Sequence, residues 1–163
     1  MKKSVVPGQA MASGLLAGGI ATACMSLVML VSRGLDLQGE PPPKKITRKM
    51  VQAAVGAQPP RSALLLLTTA AHLAYGVGAG TAFAVLRRKF GSKRRPVLEG
   101  ALFGLGIWLL SYKGWVPAVG LMPPPERDQP GRTVTTVAAH LVYGAVLGAS
   151  TRRMEKFSDE YAD

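Results

Sequence analysis

One cysteine, two histidines and no acidic residue in the interior of an apolar run set the first limits on this 163-residue chain. Cys24, alone, cannot form an intramolecular disulfide. Two histidines with no carboxylate or thiol near them make a poor metal site, so no metal is expected. The chain has no Walker loop, no zincin helix, no Ser-His-Asp order and no CxxC pair. No residue is therefore assigned a catalytic role, and the protein is not expected to be an enzyme. The want of intramembrane Asp or Glu also weakens a proton-pump reading.

What the chain does have is four apolar runs, at 10–31, 63–86, 97–116 and 134–150, of 22, 24, 20 and 17 residues. A bilayer core of ~30 Å needs about 20 apolar residues in a helix, with about 17–25 tolerated. Acidic residues lie outside the runs or at their edges. Lys113 is the only charge inside one, close enough to its end to snorkel. The expected fold is all-α: a four-helix transmembrane bundle forming one integral membrane domain over 1–163. The net charge of +11 is packed beside the apolar runs. That placement favours anionic lipid headgroups as partner over nucleic acid. A rival reading makes Cys24 a lipidated residue after a cleaved signal. The apolar run continues through Leu27–Val31, however, and a cleavage signal has a core of only about 7–15 residues.

The chain also repeats itself. Residues 68–80 read TTAAHLAYGVGAG and residues 136–148 read TVAAHLVYGAVLG, eight identities in thirteen at an offset of 68. Each half orders its parts alike: a span with an early Gly-x-x-x-Gly, a triple proline (41–43, 123–125), Gln-Pro-x-Arg-Ser/Thr, then the His-Tyr-Gly span. Repeat one is expected over about 10–86 and repeat two over about 97–151, as two tandem helical hairpins of parallel topology. Between spans one and two, residues 44–57 carry apolar side chains at helical spacing. They read as a short amphipathic helix, lying on the membrane surface or solvated. Six of the nine residues at 87–95 are basic. That density in the shortest loop places it and both termini in the cytoplasm, the span-one–span-two loop being the main contrary evidence.

Each span has a glycine pair four apart: Gly14/Gly18, Gly76/Gly80, Gly100/Gly104 and Gly144/Gly148. Small residues let helices in lipid approach closely. In an antiparallel bundle the four pairs fall in one leaflet, which predicts a bundle tight at that end and looser at the other. Thr68, His72 and Tyr75 form one helical stripe, and Thr136, His140 and Tyr143 form its copy. These six are the candidates for a ligand site or polar network. The bland expectation is a neutral histidine hydrogen-bonded to a tyrosine of the other repeat, fixing helix register in a structural or accessory protein. Sharper ones are a small-molecule or ion pathway, and a b-type haem held by both histidines. Homo-oligomers or other membrane subunits remain open as partners.

Three features together, the repeated His-x-x-Tyr-Gly, residues 138–148 and the stretch LSYKGWVPAVGLMPPP at 110–125, resemble the YagU-like and related uncharacterised four-span proteins of the bacterial inner membrane. The resemblance implies a multi-pass membrane protein of the cytoplasmic membrane and carries over no activity.

Overall fold

The computed structural model of the chain describes residues 7–160 other than residue 93. The basic start at 1–6, Lys93 and residues 161–163 lie outside the described residues. Among the described residues there are helices and no strand. They are α1 (Pro7–Gly34), α2 (Pro42–Val55), α3 (Arg61–Phe90), α4 (Pro96–Trp108), a π-helical stretch (Leu109–Trp115), α5 (Val116–Ala118), a 3₁₀ turn (Pro125–Arg127) and α6 (Pro130–Glu160). Prolines open α1, α2, α4 and α6. Their fixed φ suits a first turn, where a missing N–H is no loss. Gly56, at φ +69°, ends α2 in the left-handed conformation that glycine adopts most easily.

Three helical stretches are long and apolar enough to cross a membrane: Gly8–Gly34, Arg61–Phe90 and Pro130–Phe157. The expected third span, 97–116, is not a fourth helix of the same kind. Its α-helix ends after 13 residues, at Trp108, and the backbone continues as a π-helix. Local causes are visible. Pro117 has no N–H to return to the carbonyl four residues back, and Gly114 leaves helical geometry at φ −94°, ψ −105°. Ser111 Oγ also bonds back to the Ile107 carbonyl at 2.7 Å, a contact that bends helices.

α1 is central and packs on both α3 and α6, while α6 also packs on α4. The order across the bundle is therefore α3–α1–α6–α4. Glycines bring two of these pairs together. A Cβ built on Gly18 would fall 2.8 Å from the Gly76 carbonyl oxygen, and one on Gly80 would fall 2.6 Å from the Cα of Gly18. On the other pair, Cβ atoms at Gly100, Gly104 and Gly148 would collide with the carbonyl oxygens of Gly144, His140 and Pro96. Gly14 abuts Thr81 and Gly80 in the first seam. Ala17, Ala21, Met25 and Met29 of α1 form the core with Phe83 of α3 and Ala139, Tyr143 and Leu147 of α6.

The outside is apolar. Leu16, Leu66, Leu102 and Val134, one from each of α1, α3, α4 and α6, are each at least 60% exposed. At about 25 cal/mol per Å² that surface is costly in water and costs nothing against lipid tails. Polar clusters close the two ends. At one, the buried Arg87 guanidinium pairs with Glu99 (2.5 Å) and Glu155 (3.3 Å), joining α3, α4 and α6. At the other, the Tyr112 hydroxyl donates to Asp128 at 2.5 Å, and Asp128 pairs with Arg132. Gln38 Nε2 donates to the Met29 carbonyl there. Lys113, also at this end, reaches Glu126 at 2.8 Å with more than half its side chain exposed.

Candidate functional site: a capped cavity between the two motif copies

Beyond the glycine seams, toward the α2 end, the helices diverge around a cavity of about 210 Å³. Thr68, His72 and Tyr75 line it from α3, and Thr136, His140 and Tyr143 from α6. Thr22, Met25 and Met29 complete the wall from α1, and Ile107, Ser111 and Trp115 from α4 and the π-helical stretch. No Asp, Glu, Lys or Arg among the described residues lines it.

The cavity's end is covered by α2, through Pro42, Pro43, Ile46, Thr47 and Met50. The sequence suggests an amphipathic helix at 44–57, and α2 spans Pro42–Val55. Its apolar face is turned onto the bundle: Ile46 also packs against Trp108, Tyr112, Val116 and Met122. Arg48 on the same helix pairs with Glu40 at 2.5 Å, and Lys49 Nζ donates to the Gly120 carbonyl at 3.3 Å. These contacts hold the cap to its neighbours.

The six motif residues share the cavity but have different partners. On α6 all three are engaged. Trp108 Nε1 donates to Thr136 Oγ1 at 3.1 Å, and that hydroxyl donates to the Thr133 carbonyl. His140 Nδ1 lies 2.7 Å from the Thr136 carbonyl. A carbonyl only accepts, so Nδ1 carries the proton. The Tyr143 hydroxyl donates to the Gly76 carbonyl at 2.6 Å, tying α6 to α3. On α3 the matching atoms have no such partners. Thr68 Oγ1 and His72 Nε2 are buried without a hydrogen bond, and Tyr75 is 45% exposed. A buried, unpaired polar atom costs about 1–3 kcal/mol.

The expected histidine–tyrosine bond between repeats is therefore replaced by tyrosine to backbone. Tyr143 reaches a carbonyl because Gly76 has no side chain to cover it, and Thr22 Oγ1 occupies the space where a Cβ would stand. Several lining groups escape sequence reasoning. Thr22 bonds its own helix at the Gly18 carbonyl, a contact common to many threonines in helices. Trp115 lines the cavity although nothing in its sequence context points there, and Trp108, which does not line it, is brought to Thr136 only by the fold. Cys24, partly buried on α1, is not among the cavity residues.

No group of three or more His, Cys, Asp or Glu that could hold a metal ion occurs among the described residues. What the site offers instead is hydrogen bonding from neutral groups inside an apolar wall. No curated protein and no solved structure matches the chain. Residues 8–160 match the family of unknown function DUF6789, and the chain belongs to that family.

Proposed function

We propose that this is a non-enzymatic multi-pass protein of the bacterial inner membrane that holds a small molecule in the capped cavity. The observation carrying this reading is the pair of buried polar atoms, Thr68 Oγ1 and His72 Nε2, left unbonded at the wall of a space large enough to fill. A stripe serving packing alone gains nothing from leaving them so. That weighs against the plainer reading, a structural or accessory subunit whose polar residues only fix helix register.

The reading takes residues 96–118, α4 with its π-helical continuation and α5, as a fourth crossing. At about 1.5 Å per residue the stretch is long enough. The bundle then consists of two tandem hairpins, α1/α3 and α4/α6, joined by α1 against α6. The basic connection after α3 faces the cytoplasm and its anionic headgroups, as do both termini. The α2 cap faces the exoplasmic side. On this reading the likeness to YagU-like proteins is one of architecture. Haem would need both histidines as axial ligands; the bond from His140 Nδ1 to the Thr136 carbonyl leaves Nε2 free for that role, so an absorbance spectrum decides between the two readings.

Purification in mild detergent followed by native mass spectrometry tests the proposal. The expected result is a retained small molecule that is lost from Ile107→Trp, which fills the cavity from α4. Protein that is always empty, and whose melting temperature is unmoved by total membrane lipid extract, removes the reading. A Soret band in the purified protein would move the assignment to haem.

A further inference from the structure

The cavity is closed at its end and open at its side. Tyr75 lies near the middle of α3, fourteen residues from Arg61 or about 21 Å along the helix axis. It lines the cavity while remaining 45% exposed. Ala71, one turn nearer the cap, also lines the cavity and is exposed. Across from them Trp115, on the π-helical stretch, is 40% exposed. α3 and α4, the two ends of the order α3–α1–α6–α4, share no glycine seam. They meet through the Phe83–Phe103 ring pair, centroids 5.1 Å apart, which shuts the lower part of that side. The upper part, at the depth of Tyr75, faces the surroundings of the helices rather than the end of the bundle.

We propose that the cavity takes a neutral, membrane-soluble molecule bearing one hydroxyl or carbonyl, which enters sideways from the bilayer between α3 and the π-helical stretch. Its polar head is bound by His72 and Thr68, and its apolar body lies against Met25, Met29 and Ile107. This rests on the ligand-holding reading above and specifies the ligand's class and route. The ligand is neutral because no charged side chain lines the space, so an ionised head would stay uncompensated. It has a single small polar head because Thr68 and His72 are one turn apart on one helix, and the remaining lining hydroxyls and imidazole largely have partners already. Methionines on the far wall adapt to varied apolar shapes. A sideways route follows from the exposure of Tyr75 and Ala71 at mid-helix beneath a covered end.

Three probes in nanodiscs test this: 11-bromoundecan-1-ol, 1-bromoundecane and 11-bromoundecanoate at pH 8. Bromine quenches nearby tryptophan, and Trp115 lines the cavity. The alcohol should quench saturably, at a mole fraction about tenfold below the other two. Thr68→Val and His72→Phe should each weaken the alcohol about fivefold to tenfold, the worth of roughly one hydrogen bond. Trp115→Phe should abolish the saturable phase. Ala71→Phe, at an exposed position, should slow the onset of quenching by at least the same factor. If no probe saturates, the ligand-holding reading falls with the inference. If all three saturate alike and ignore Thr68 and His72, the cavity binds but the head-group assignment is wrong. Preference for the carboxylate overturns neutrality, and an unchanged rate in Ala71→Phe overturns the sideways route. Melting temperatures of the variants within a few degrees of wild type exclude misfolding as the cause of lost quenching. Thr68→Val serves as the isosteric check should His72→Phe unfold.

Discussion

Two copies of one motif share a cavity and have been put to different uses. Thr136, His140 and Tyr143 on α6 are bonded to Trp108 and Thr133, to the Thr136 carbonyl, and to the Gly76 carbonyl respectively. Thr68 and His72 on α3 keep buried polar atoms free, and Tyr75 lines the cavity while 45% exposed. The residue types are the same, so the difference lies in what stands opposite. The α6 copy sits between α1 and α4; Thr136 and Tyr143 find partners on α4 and α3, while His140 bonds its own helix. The α3 copy lies at the open side of the order α3–α1–α6–α4. The same residue types recur twice; position in the bundle decides which set is bonded into the framework and which keeps polar atoms free.

The largest expected effect is at the glycines, and it separates the copies by what their Cβ would strike. At Gly144 a Cβ meets the Gly100 backbone carbonyl, which cannot turn away; at Gly76 it meets the Thr22 side chain, which can. Gly144→Leu should abolish folded protein in dodecyl maltoside. Gly144→Ala should cost more than Gly76→Ala, with overpacking of about 1–3 kcal/mol at the former. Gly78 has nothing within 4 Å of its Cβ position, and Gly78→Leu should stay within about 0.5 kcal/mol of wild type. Equal losses at all three sites in detergent unfolding titrations would dissolve the idea of a seam.

Next in size is the cross-copy ion pair. Arg87 and Glu155 follow the two copies at the same offset of 68 and bind each other. Arg87 has a 3% exposed side chain, whereas Glu99 and Glu155 are about one-third exposed. Arg87→Met should therefore cost less than the about 3–5 kcal/mol of a fully buried pair, roughly half of it. Arg88→Met, on an exposed neighbour, is the control and should be near neutral. A silent Arg87→Met would mean that this end is held by its glycines alone.

Much of this architecture is legible in the sequence, because helical spacing turns into stripes without knowledge of the neighbours. The long helices α1, α3 and α6 contain the apolar runs at 10–31, 63–86 and 134–150, extended at both ends by residues that composition alone leaves undecided. The stripe of Thr, His and Tyr follows from i, i+4 and i+7. The π-helical turn after Trp108 is harder, since Pro117 is visible but the backbone answers several residues earlier. That α2 covers a cavity is not readable at all. Its apolar face is evident, but the surface receiving it is assembled from four other segments. The inequality of the two copies is hidden for the same reason. No local pattern distinguishes Thr68 from Thr136; only Trp108, 28 residues from the latter in the chain, does so.

A pair of threonine substitutions sharpens the contrast. Thr136→Val removes an acceptor from Trp108 Nε1 as well as its own bond to the Thr133 carbonyl. The indole N–H is then stranded in a buried setting, at a cost of about 1–2 kcal/mol. Thr68→Val removes a hydroxyl with no partner and replaces it by a methyl group of similar shape. In ligand-free protein it should be neutral or slightly stabilising. Unfolding midpoints in which Thr68→Val loses as much as Thr136→Val would show that the α3 copy has structural partners after all.

The smallest expected difference lies at the tyrosines. Tyr143→Phe loses one hydrogen bond, to a Gly76 carbonyl that already accepts within α3, so the helix keeps its own ladder. Side-chain bonds between membrane helices average about 0.6 kcal/mol and reach about 1.7, and this one should fall in that range. Its loss should also loosen α6 against α3, visible as faster hydrogen exchange around Gly76, because the bond links those two helices at that depth. Tyr75→Phe should leave stability within about 0.5 kcal/mol, since the ring is 45% exposed and no bond from its hydroxyl holds the fold. The exchange pattern is the sharper measurement, because two small free energies are hard to rank. Faster exchange around Gly76 in Tyr143→Phe but not in Tyr75→Phe fits one framework copy and one free copy. The same acceleration in both variants would mean that the tyrosines hold the bundle together alike, and the asymmetry would then belong to the threonines and histidines only.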